Sequence, residues 1–109
     1  MGPRGVDFST LCDELEALIG APARRDAAAR AHLERTLTDG YAQALALEGQ
    51  RLKLERRIGE VAAQVTVERR GAKTEELADL SQRLRQASTD LKHLRELLAA
   101  ARRSASAAA

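Results

Sequence analysis

Large rings are almost missing from this chain: among its 109 residues stand one Phe, one Tyr and no Trp. A broad globular core relies on such rings, whereas a thin seam between helices is filled by Leu, Ile, Val and Ala. Proline is as scarce. Pro3 and Pro22 are its only two, so nothing after Pro22 forbids continuous helix. Cys12 is the single cysteine, which excludes an internal disulfide. No apolar run approaches the ~20 residues that cross a bilayer, and no basic stretch precedes an apolar one at the N-terminus. Val6 stands where a myristoylation motif needs Ser or Thr. The expected location is cytoplasmic, with no membrane contact.

What remains is Ala, Leu, Arg and Glu, the composition of long helices and coiled coils. Charged residues make up 31% of the chain, yet the formal net charge is only +2. The pI of about 9.1 reflects Arg in place of Lys and says little about an anionic partner.

The apolar spacing is mirrored about Gly71. Leu47, Leu54, Ile58, Val61 and Val65 stand on one side, and Leu77, Leu80, Leu84, Leu91, Leu94 and Leu98 on the other. Both runs step by threes and fours, the spacing of a seam along one helix face. Folding the chain at Gly71 sets Val65 opposite Leu77, Val61 opposite Leu80, Ile58 opposite Leu84, Leu54 opposite Ala87, Leu47 opposite Leu94 and Ala44 opposite Leu98. The paired residue numbers add to a nearly constant value, as antiparallel helices require. A smaller mirror about Gly20-Ala21-Pro22 sets Leu11 opposite Leu33, Phe8 opposite Leu37 and Leu15 opposite Arg30.

The expected fold is therefore all-α: an antiparallel helical hairpin, or coiled coil, with a short N-terminal helix folded back on the long central helix. Residues 1–7 are expected to be disordered. Residues 8–103 are expected to form one helical coiled-coil domain, with helices at about 9–19, 23–70 and 74–103, and 104–109 a frayed tail. Thr10 with Asp13 resembles a capping box, Gly20 suits a left-handed cap, Gly71 is expected to end helix two, and Thr74 is expected to cap helix three. Helices one and three would then lie nearly end to end along the central one. Gly40, Gly49 and Gly59 weaken the central helix by up to ~1 kcal/mol each relative to Ala, with Gly40 a candidate kink.

Charges follow the same register. Arg51 falls in the seam opposite Leu91 and is expected to reach Asp90, and Glu48 is expected to meet Arg95. Arg57 and Arg83 approach each other, an unfavourable contact unless an anion or Glu60 relieves it. Asp26–Arg30, Arg35–Asp39, Arg51–Glu55, Arg56–Glu60, Asp79–Arg83 and Lys92–Glu96 all have the spacing of intrahelical ion pairs.

Catalytic motifs are lacking. His32 and His93 fall on different helices and on outward faces, and neither has a second ligand at metal spacing. Cys12 lies in the first turn of helix one, where the dipole favours a thiolate but Asp13 and Glu14 oppose it. There is no phosphate-binding glycine loop or nucleophile elbow, and a thin hairpin provides no concave pocket. The expectation is a non-enzymatic protein with no cofactor, no metal and no small-molecule substrate.

Two surfaces remain. Tyr41, Leu45 and Leu52 form a second apolar stripe off the seam, with Leu97 similarly placed on helix three. This makes an interaction or assembly module the first reading, either self-associating or binding a helical protein. Arg85, Lys92, Arg95 and Arg102 line helix three loosely and, with Arg56-Arg57, allow the alternative of a basic module contacting nucleic acid or a nucleoprotein complex. Helix three has no Phe, Tyr or Trp on which a base could stack, and a protein partner is the better expectation.

Overall fold

A computed structural model describes residues 7–20, 27–68 and 71–108. They form three helices and no strand: α1 (Phe8–Gly20), α2 (Ala27–Glu68) and α3 (Gly71–Ala108). Among them no helix is long and apolar enough to cross a membrane. Of the stretch 1–7 expected to be disordered, 1–6 lie outside the described residues, as does Pro22, while Asp7 is ordered by its bonds to α1.

The helix ends differ from expectation in instructive ways. The cap of α1 is Asp7, not Thr10. Its carboxylate accepts the Thr10 amide at 3.3 Å and its carbonyl accepts the Leu11 amide at 2.9 Å. An N-cap carboxylate satisfies one of the orphan amides of the first turn, and Asp7 is the first residue able to do so before the apolar positions begin. Gly20 remains the last helical residue of α1 and takes no left-handed backbone. Gly71 opens α3 rather than ending α2. The first turn of a helix needs no intrahelical acceptor for its amides, so Gly71, Ala72 and Lys73 are tolerated ahead of Thr74. At its other end α3 runs on to Ala108 instead of stopping near Arg103. The tail is rich in alanine, which has the highest intrinsic helix propensity. That continuation removes the premise of the end-to-end layout of helices one and three.

The described residues fall into two compact units, one within residues 1–45 and 92–109 and the other spanning Ala46–Leu91. The first contains α1, the start of α2 and the end of α3. Leu11, Cys12 and Leu15 of α1 are buried, as are Thr36 and Gly40 of α2 and Leu94, Leu98 and Ala101 of α3. Leu33 and Leu37 are only half-buried, and Arg30, expected in the seam, is exposed. Thr36 can stand in the core, 2% exposed, because its hydroxyl donates to the His32 carbonyl at 2.9 Å. That bond needs no partner from another helix, and it makes a threonine pack like a β-branched apolar residue.

Gly40 has a packing role. A Cβ there would collide with Cδ2 of Leu98. The missing side chain is the space into which Leu98, 3% exposed, is seated. The residue expected to loosen α2 is a point of close approach between α2 and α3 in this unit.

In the second unit Leu47 and Val61 of α2 are buried with Leu80, Ala87 and Leu91 of α3, while Leu54, Ile58, Val65, Leu77 and Leu84 are half-buried. Contacts between α2 and α3, Leu98 on Gly40 in the first unit and Arg57 to Glu76 in the second, are compatible with a hairpin.

These environments predict opposite outcomes for one kind of substitution. Gly59 has open space where a Cβ would stand. Gly59→Ala should stabilise by about 0.5–1 kcal/mol through helix propensity alone. Gly40→Ala carries the same propensity gain but forces Leu98 from its seat, and overpacking of a core costs ~1–3 kcal/mol. Thermal melts followed by circular dichroism should show Tm rising in the first variant and falling in the second.

Candidate functional site

The side of α2 opposite its buried positions carries the largest exposed apolar groups described. Leu45 is 74% exposed, Leu52 49% and Tyr41 45%. Buried Thr36, Gly40, Leu47 and Val61 lie about half a helical turn away, at 100° per residue. Between and beside the exposed groups stand Thr38, Ala42, Ala46, Gly49, Lys53 and Arg56, of which only Gly49 is half-buried. Leu97, expected to belong with this set, is half-buried on α3 and presents less surface.

Ion pairs sort the charged residues. Arg57 does not confront Arg83. Its two terminal nitrogens donate to Glu60 at 3.3 Å on its own helix and to Glu76 at 2.9 Å on α3. Arg83 pairs with Asp79 at 3.0 Å, and Lys73 stands 3.7 Å from Glu76. Sequence spacing identified Glu60 and Asp79 but not Glu76, which lies 19 residues from Arg57 and off the apolar register. The hydrogen bond from Arg57 holds the Glu76 carboxyl below the usual carboxylate range, and the bond to Glu76, then that to Glu60, raises Arg57 in turn.

Arg51 also departs from expectation. It pairs with Glu48 one turn back at 3.1 Å, while Asp90 accepts from Gln86 at 2.9 Å. A short bridge within the helix orders fewer bonds than a reach across the seam. Its Nε remains buried without a partner, as does Oε1 of Gln64. Of the other expected intrahelical pairs, Asp79–Arg83 forms; Arg51 prefers Glu48 to Glu55, and Glu60 takes Arg57 rather than Arg56. Asp26 lies outside the described residues.

On α3 the basic candidates are exposed: Arg85 in the second unit, Lys92, Arg95 and Arg102 in the first. Arg85 donates to Gln82 at 2.7 Å. His32 and His93 are both exposed, and Cys12 is free and buried. An open groove of about 500 Å³ in the first unit is lined by Glu14 of α1 and by His32, Arg35, Thr36 and Asp39 of α2, among others. Charges of both signs line it. Among the described residues no group of three His, Cys, Asp or Glu side chains could hold a metal ion.

No family model matches the chain, and no curated protein or solved structure matches it at a significant level. The surface itself therefore carries the functional argument.

The Glu76 pairing predicts a pH dependence. A carboxyl lowered in the folded state contributes stability above its unfolded value near 4.3, and loses it as pH falls through the folded value. Glu76→Gln should therefore melt below the wild type at pH 7 and coincide with it once acid has protonated the folded carboxyl, the gap at pH 7 narrowing in added salt. A gap that persisted in strong acid would refute the electrostatic origin.

Proposed function

We propose that this chain is an interaction module: an antiparallel coiled-coil hairpin of α2 and α3, with α1 folded back on α2, that works by pairing the exposed face of α2 with another helix. The observation that carries the reading is Leu45, a leucine left 74% exposed in a protein that buries Leu11, Leu15, Leu91, Leu94 and Leu98 almost completely. Single exposed leucines are ordinary on a protein surface. Leu45 is not single: Tyr41 lies one turn before it and Leu52 two turns after it, so the three give one helix face an apolar edge about three turns long. A helix face of this kind is what an apolar helix–helix interface uses, with anchors at steps of three, four and seven. Burial of a leucine removes apolar surface worth ~1.5–3 kcal/mol from water, so a few such anchors make a sizeable contribution to association.

Half-buried Leu33 and Leu37, in the same unit as the buried Leu11 and Leu15, support the folded-back α1. The steps of three and four among the buried positions of α3 support the coiled-coil form. Binding of nucleic acid is the weaker reading. Arg57, half of the doublet it would use on α2, is committed to two carboxylates, and α3 has no Phe, Tyr or Trp.

The test is the joint substitution Leu45→Asp with Leu52→Asp. Both side chains are exposed, so helicity should be retained within a few per cent by circular dichroism. Light scattering across concentration, and capture of helical partners, should lose the associations of the wild type. Equal association by the double variant, or a wild type that neither self-associates nor captures a partner lost in the variant, overturns the reading.

A further inference from the structure

Resting on the reading just given, we infer that the occupant of this face is a second copy of the same chain, docked antiparallel so that α2 meets α2 about a two-fold axis that passes between Leu45 and Gly49. On the unbroken α2, Thr38, Ala42, Leu45, Gly49, Leu52 and Arg56 follow one another by alternating fours and threes, the repeat of a helix–helix seam, and none of them is buried. In this register Leu45 seats opposite Gly49 of the second copy and Leu52 opposite Ala42. Each exposed leucine meets a residue with little or no side chain, so knobs face holes on both sides of the axis.

Charge selects this register over its neighbours. Lys53 falls beside Asp39 of the second copy, and the Tyr41 hydroxyl falls beside Glu55, where a phenol donates to a carboxylate. Symmetry repeats both contacts. Lys53, Asp39, Tyr41 and Glu55 are all exposed, and none makes an ion pair among the described residues. Glu48 lies near its own copy, but it is already bridged to Arg51 at 3.1 Å. Moving one layer in one direction sets Leu45 against Arg56 and Asp39 beside Glu60. Moving one layer in the other sets Leu52 against Arg35 and Glu55 beside Glu34. A parallel pairing sets Glu34 beside Asp39 and Glu55 beside Glu60, and leaves Lys53 facing a Glu48 held by Arg51. Opposite charges across a helix interface favour a register and like charges disfavour it, which is how such seams choose orientation.

The experiment is sedimentation equilibrium of the full chain, with Lys53→Asp and Asp39→Lys made singly and together. The wild type should be a dimer at high concentration. Each single reversal turns two attractive contacts repulsive and should weaken dimerisation on the order of tenfold. The double reversal should restore it to within about threefold of the wild type. Circular dichroism on the same samples should show unchanged helicity, because both side chains are exposed and neither forms an ion pair among the described residues. A wild type that stays monomeric up to about millimolar concentration overturns the second copy as occupant, and the interaction reading survives only if Leu45→Asp with Leu52→Asp abolishes capture of another helical protein. A dimer that is lost in the leucine variant but is indifferent to the single charge reversals, or is not rescued by the double one, overturns this register while leaving the face in use.

Discussion

A seam of aliphatic side chains between helices buries one face of each helix and no more. Every other property of this chain depends on that constraint. With a single Phe and a single Tyr there is no ring broad enough to fill space between several layers. Packing must instead come from close approach. The first unit achieves it by deleting a side chain at Gly40 and filling the space with Leu98, and by placing Thr36 in the core with its hydroxyl bonded to its own helix. The second uses Val61, Leu80, Ala87 and Leu91, a narrow set of small and medium side chains. Neither arrangement reaches around α2 to its far side.

The far side is consequently where function can reside. A long helix packed along one face would ordinarily present lysine, glutamate and arginine on the other. Here α2 presents Leu45, Leu52 and Tyr41 as well, among Ala42, Ala46, Gly49, Lys53 and Arg56. Hydrophobic groups at a solvated surface gain nothing from their position there, whereas the same groups against a second helix remove apolar area from water. The charges at the edges of this face, Asp39 and Lys53, form no ion pair among the described residues. Arg57, Arg83 and Arg51, by contrast, are each held by a carboxylate of the same chain.

Helix number and type were legible in the sequence because threes and fours recur over long stretches and only two prolines interrupt the chain. The exposure of Tyr41, Leu45 and Leu52 was legible for the same reason: they fall off the period of the seam. Helix ends were read less well. Propensity at a terminus competes with capping and with the freedom of the first turn, so Asp7 rather than Thr10 caps α1 and alanines carry α3 to Ala108. Side-chain partners were hardest to read. Arg51 was drawn toward Asp90 by register but settles on Glu48, a choice made by local reach rather than by the apolar pattern. Glu76 left no signal at all, since a charge on the flank of a seam has no periodicity of its own. Gly40 was read by its propensity cost, and only the position of Leu98 reveals why a glycine stands there.

If a second copy of the chain buries the exposed face of α2, as proposed, folding and association are linked. A linked system is stabilised by mass action, and its melting temperature depends on concentration. The decisive measurement is Tm as a function of total protein over about three decades of concentration. The account predicts a Tm that rises steadily, with the slope set by dissociation of a dimer. A Tm that is flat over the whole range would contradict it.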